Sequence, residues 1–120
     1  MDSHRKLFAW QRCRRLTLTV YVATKRFPPD ERYGLVSQLR TASVSACANI
    51  AEGCGRRGAK ELKQFLNIAL GSLAEVDALL DLSHALGYVD DETAERLANE
   101  LAEAGKTTCG LYRNPGRDSR

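Results

Sequence analysis

The stretch that decides the fold reads SVSACANIAEG (residues 43–53), CGRRG (54–58) and AKELKQFLNIALGSLAE (59–75). Its centre spells G-x-G-x-x-G across Gly53, Gly55 and Gly58, the spacing of a dinucleotide-binding turn. That chemistry needs a strand before the first glycine, a helix after it and a βαβ unit around both, so that backbone N–H groups face a pyrophosphate. What precedes Gly53 instead is a helical rhythm: Ala42, Ala46, Asn49 and Gly53 step by four and three. No stretch of the chain alternates with period two between turn signals, so no strand is expected. The glycines therefore read as a helix–helix corner supplying left-handed backbone angles, with Gly53 ending the first helix as a C′ glycine.

Working outward, the helix before the corner carries Leu35, Leu39, Ala42, Ala46, Asn49 and Gly53 on one stripe, with Val36, Ser43 and Ile50 alongside. Its second half is nearly all Ala, Ser and Cys, which lets helix axes approach closely. The helix after the corner holds Leu62, Leu66, Ala69, Leu73, Val76 and Leu80 at the same spacing. A second set, Phe65, Ile68, Ser72, Leu79, Leu82 and Leu86, covers another face. A helix apolar on two faces is buried on two faces, and in a domain this small the second cover is expected from another copy of the chain. Upstream, Ala9, Cys13, Leu16, Val20, Ala23 and Phe27 mark a helix that Pro28 and Pro29 must end, with Asp30 placed to cap the next. Downstream, Gly87-Tyr88-Val89 closes the third helix and Asp90 or Asp91 caps a fourth. That helix carries Ala94, Leu97, Leu101, Ala104 and Leu111 inward and Glu92, Glu95, Glu100 and Glu103 outward, with Gly105, Thr107 and Thr108 weakening its far end. The expectation is all-α: an antiparallel up-and-down four-helix bundle over residues 7–112, with a polar lead-in at 1–6 and a flexible tail at 113–120.

At 120 residues the chain is one domain with room for a core that needs no staples. Its formal charge of +3 hides a segregation. Residues 1–57 carry 11 Lys/Arg against 4 Asp/Glu, a net of +7, and residues 58–120 carry 7 against 11, a net of −4. Such a split suits either self-association of opposite surfaces or a basic face for an anionic partner. Arg5, Lys6, Arg12, Arg14 and Arg15 interrupt every early apolar run, so neither a secretory signal nor a membrane span is expected, and the protein reads as cytoplasmic. Cys13, Cys47, Cys54 and Cys109 show no C-x-x-C pair and no histidine at ligand spacing, which reads as reduced structural thiols with Cys54 the most exposed.

Catalytic and metal chemistry find no cast. A di-metal bundle site needs Glu-x-x-His pairs, and neither His4 nor His84 follows a Glu by three. Ser43, Ser45 and Ser72 have no base nearby. No catalytic, metal or cofactor residue is assigned. Asn49, Glu52, Ser72 and Glu75 read instead as a polar network fixing the register of the bundle. Arg56 and Arg57, at a corner beside a helix N-terminus, fit a phosphate contact; pairing with nearby carboxylates is the alternative. Arg5, Lys6, Arg12, Arg14 and Arg15, with Phe8 and Trp10, fit either a nucleic-acid surface of the phosphate-binding kind or an ordinary solvated face.

Several blocks also carry a family likeness: Trp10-Gln11, Phe27-Pro28, Glu31-Arg32-Tyr33-Gly34-Leu35, Ser37-Gln38-Leu39-Arg40, Ala48-Asn49-Ile50-Ala51-Glu52-Gly53, Arg57, Phe65-Leu66, Ile68-Ala69 and Gly71-Ser72-Leu73. In this order they resemble the four-helix-bundle proteins first noticed as open reading frames in 23S rRNA intervening sequences. A more distant likeness is to the accessory variability determinant proteins of diversity-generating retroelements. The resemblance implies a bundle assembled as a homopentamer, with no established enzymatic activity. The retroelement relatives imply a nucleic acid and a nucleic-acid-bound protein as partners through basic surfaces. Two departures stand out: Ala46-Cys47 replaces a frequent Ile-Pro, and Gly58 replaces a usual Ser. The reading that results is a non-enzymatic oligomeric scaffold for RNA or a nucleoprotein, with Arg12, Arg14, Arg15, Arg56 and Arg57 as contacts. The alternative is a purely structural protein–protein module.

Overall fold

A computed structural model describes residues 4–118, and over them the chain is all-α with no strand. Four helices, α1 (Phe8–Thr24), α2 (Leu35–Cys54), α3 (Gly58–Ala85) and α4 (Asp91–Arg113), follow one another through short connections. Single 3-10 turns stand at His4–Lys6 and Pro29–Glu31. Residues 1–3 of the expected lead-in and 119–120 of the expected tail lie outside the described residues.

Each helix packs on its two sequence neighbours around the ring, with α1 closing against α4, and the diagonal pairs do not meet. Neighbours run antiparallel. Arg40 of α2 donates to Thr24 of α1 at 2.9 Å, whereas Thr17 of α1 lies 3.4 Å from Cys47. Ser45 of α2 meets Ser72 of α3, and Thr19 of α1 meets Glu100 of α4. Ala9, Cys13, Leu16, Val20, Leu39, Ala46, Ile50, Leu66, Ala69, Val76 and Ala104 form the fully buried centre. Phe27 and Val89 close it at the end where α1 and α3 finish. The molecule measures 43 × 25 × 19 Å.

The corner between α2 and α3 departs from expectation in one respect. Gly53 does not end α2, which continues to Cys54 with Gly55 as a right-handed C-cap at φ −81°. Gly53 lies inside the helix and is buried. A Cβ there would stand 2.9 Å from the Phe65 Cβ and 3.1 Å from the Leu62 Cδ1, so its missing side chain is what lets α3 approach. Of the three corner glycines only Gly58, at φ +84°, takes a left-handed angle.

Other boundaries follow local chemistry. The two prolines hold Pro29–Glu31 in a separate turn, which delays α2 to Leu35. The cap carboxylate is consequently not that of Asp30. Glu31 accepts the Leu35 N–H, at 3.2 Å. At the end of α3, Gly87 is left-handed at φ +81°. Its N–H reaches the carbonyl of His84 and that of Tyr88 reaches Ser83, each at 3.0 Å, a paired termination that satisfies two orphan carbonyls. Asp90 caps α4 by accepting the Thr93 N–H at 2.7 Å.

α4 holds two further corrections. Glu100, expected outward, is only 8 % exposed. It stands three residues after Leu97 and four before Ala104, within the inward stripe, and accepts the Thr19 hydroxyl at 2.6 Å with Arg96 at 3.5 Å. The far end is not weakened by its threonines, since the helix runs on to Arg113. Thr107 donates back to the Glu103 carbonyl at 2.8 Å and accepts from Arg12, and Thr108 is buried against Cys13. Beyond the helix, Asp118 folds back so that its carboxylate accepts the Phe8 N–H at the start of α1. That carboxylate fills a cap that Leu7 has no side-chain oxygen to provide.

Candidate nucleic-acid interface

Antiparallel packing brings the start of α1, the end of α2, the start of α3 and the end of α4 to one end of the bundle. Arg5, Lys6, Arg56, Arg57, Lys60, Arg113 and Arg117 are exposed there. Lys63 is half-buried, its Nζ 5.0 Å from the Tyr112 ring centroid. Against these cations stand the carboxylates Glu52, Glu61 and Asp118, the last engaged with Phe8. The opposite end reverses the balance, with Asp30, Glu31, Asp81, Asp90, Asp91 and Glu92 against Lys25, Arg26 and Arg32.

The five arginines expected to touch an anion separate by position. Arg56 is committed at the corner, donating to Glu52 at 2.7 Å and lying 5.0 Å over the Phe65 ring. Arg57, the N-cap residue of α3, is exposed and makes no side-chain cap bond. Arg12 is used internally: it donates to the Thr107 hydroxyl and lies 5.7 Å over the Phe8 ring. Arg15 stands 3.8 Å from Glu103 with both side chains largely exposed, a pair of little strength. Arg14 is exposed, and an open cleft of about 630 Å³ lies beside it along the outside of α1.

The four polar residues read as a network do not all converge. Asn49 donates its Nδ2 to the Ser45 carbonyl at 2.9 Å and to the Ser45 hydroxyl at 3.1 Å. Ser72 donates across from α3 to the same hydroxyl at 3.0 Å. Glu52 instead pairs with Arg56, and Glu75 is exposed outside these contacts. The connecting residue is Ser45, which the sequence signals by standing four before Asn49 on the same helix face.

All four cysteines are free thiols. Burial, with the neighbouring Cys47 adding to it, pushes Cys13 up to about 12. Cys47 is also raised by burial, against the opposing pull of the Thr17 hydroxyl and the Arg14 charge. Both are poor thiolates at neutral pH. Cys54 is half-buried, as Cys47 and Cys109 are, and Cys13 is buried. The hydroxyl of Ser43 donates to the Arg40 carbonyl at 3.1 Å. Among the described residues no group of three or more His, Cys, Asp or Glu side chains converges as a metal cage, and no helix is long and apolar enough to cross a membrane.

Comparison with known proteins fits this architecture. No curated protein matches the chain. The crystal structure of a protein of unknown function from the S23 ribosomal protein family of Bacteroides thetaiotaomicron superposes with a TM-score of 0.78. At 19% identity, covering 88% of this chain and 99% of that one, the likeness is one of fold. Residues 5–110 match the sequence family described as 23S rRNA-intervening sequence protein. With nearly the whole bundle matched, the chain belongs to the 23S rRNA-intervening sequence protein family.

Proposed function

We propose that the protein is a non-enzymatic, cytosolic, homo-oligomeric scaffold that binds RNA, free or within a nucleoprotein, through its basic end. One observation carries the reading: Arg57, Lys60, Arg113 and Arg117 are exposed at that end, and among the described residues none of them has an ion-pair partner. Cations without protein partners keep their full attraction for phosphate, and each phosphate they neutralise releases condensed counterions. Family membership supports an RNA connection, and the half-exposed second stripe of α3 supports burial against further copies, as the implied pentamer requires.

Four phosphate contacts imply that affinity for structured RNA falls about a hundredfold between roughly 50 mM and 200 mM salt. Anisotropy titrations at the two concentrations measure this. Arg57→Glu with Lys60→Glu should flatten the salt dependence. Absence of binding at about 50 mM salt rejects the reading.

The opposite charges at the two ends favour a second reading, a structural module whose ends meet between subunits. Arg113→Glu with Arg117→Glu should then lower the oligomer mass in sedimentation at low salt, and an unchanged mass counts against it.

A further inference from the structure

Resting on the RNA reading above, we propose that the outer face of α1 takes an unpaired strand, with one base stacked on Trp10 and the adjoining phosphate held by Arg14. An outward helix face is ordinarily polar. Here it exposes Leu18 at 50 % and Val22 at 64 %, with Tyr21, among Arg14, Arg15 and Lys25. Apolar and aromatic groups interleaved with cations form the surface that single strands use, because bases need flat apolar partners while the backbone needs charge.

The cleft on this face is lined by Arg5, Trp10, Arg14, Arg15, Leu18 and Arg96 among others. Trp10 is fixed before any ligand arrives: it rests on the core, and the His4 ring meets it at 4.8 Å and 70°. A ring already held in place loses little freedom on stacking. Its indole N–H has no acceptor among the described residues, leaving a donor for a base edge or sugar oxygen. Arg14 follows four residues later and so neighbours Trp10 on the same face. It makes no ion pair among the described residues, while the exposed Arg15–Glu103 pair at 3.8 Å is readily exchanged for a phosphate. A duplex hides its base faces, so this site selects unpaired nucleotides in loops or single strands.

Trp10 is the sole tryptophan, so its fluorescence reports the site in the unaltered protein. The full-length protein is titrated at about 50 mM salt with an oligoribonucleotide of about ten residues and with a blunt RNA duplex of equal phosphate count. The single strand should quench Trp10 and the duplex should not. Trp10→Leu should weaken single-strand binding about tenfold while leaving duplex binding unchanged, and Trp10→Phe should restore part of the loss. Melting curves of both variants check that the bundle is intact, and quenching of the unaltered protein decides should either fail to fold. Binding of both nucleic acids without quenching leaves the RNA reading standing and overturns the stacking site. Quenching by polyglutamate as complete as by the single strand overturns it too, since charge alone would then suffice. Binding of neither RNA removes the RNA reading and the site together.

Discussion

Single residues separate what one motif runs together. G-x-G-x-x-G treats three glycines alike, yet Gly53 serves packing, Gly58 serves a left-handed angle, and Gly55 would meet an added Cβ only at 3.5 Å from the Glu52 carbonyl oxygen. Gly53→Ala must push Phe65 and Leu62 away and should lower stability by about 1–3 kcal/mol. Gly71 offers the contrast: it is an exposed glycine inside α3 with nothing within 4 Å of an added Cβ. Gly71→Ala should raise stability by about 0.5–1 kcal/mol through its helix propensity. Denaturant melts compare the two, and effects of the same sign would sink the packing role of Gly53. The sequence marks that a glycine sits there, but the 2.9 Å approach belongs to two helices meeting and is not a local property. Cys13 has a pH consequence. With its folded value near 12, the native thiol stays neutral while the unfolded one ionises near pH 9. Its contribution is complete below about pH 9 and is lost as pH rises toward the folded value. The stability of the unaltered protein should therefore fall more steeply between about pH 9 and 10.5 than that of Cys13→Ala, and parallel curves would remove Cys13 as the cause.

Whole helices were the most legible level, because their signal is periodic and repeated. Ala9 to Val20, Leu66 to Val76 and Leu97 to Leu111 lie inward as their four-three spacing implies. Ends were harder. Asp30 and Glu31 both offer a carboxylate before α2, and only the turn imposed by the prolines decides that Glu31 is the one in reach. The charge of Glu100 points outward while its spacing points inward, and spacing decides because Thr19 and Arg96 satisfy that charge where it lies. For α4 the sequence offers Asp90 or Asp91 as the cap, and the structure seats Asp90 there. The Thr93 backbone N–H, with help from its hydroxyl, holds the Asp90 carboxyl below the usual carboxylate range. That contribution is present above the unfolded value of about 3.9 and is lost as pH falls through the lower folded value. Asp90→Ala should lower the melting temperature at pH 7 and flatten its acid dependence. Asp90→Asn should keep the cap and lose only the acid dependence. Melts at pH 3 and 7 distinguish these, and an Asp90→Ala protein with an unchanged acid slope would exclude Asp90 as its source.

At the scale of the molecule, the charge split between sequence halves turns into a split between ends. Composition shows the halves. Only antiparallel folding brings Arg113 and Arg117, from the acidic half, to the same end as Arg56 and Arg57. The candidate interface was therefore legible in charge type but not in membership: Arg12 turned inward to Thr107, whereas Lys60, Arg113 and Arg117 entered from outside the basic half. The second α3 stripe also belongs at this scale. Ile68, Leu82 and Leu86 remain 51 %, 52 % and 56 % exposed on the stripe they share with Ser72, whereas Leu79 of that stripe is buried in its own bundle. The proposed oligomer would cover the exposed three. Ile68→Glu with Leu82→Glu should leave the melting of the isolated bundle nearly unchanged and lower the mass found by sedimentation. An oligomer of full mass would place the subunit contact elsewhere.

The segregation along the 43 Å axis also gives the bundle an electric moment that its net charge of +3 does not describe. Near a polyanion such a body experiences a torque as well as an attraction, and it turns its cationic end forward before any contact forms. The orientation of the encounter is thereby chosen in solution, within roughly a Debye length of the target, about 10 Å at 0.1 M salt. Association should accordingly be faster, and slow more steeply with added salt, than for a sphere carrying the same three charges spread evenly.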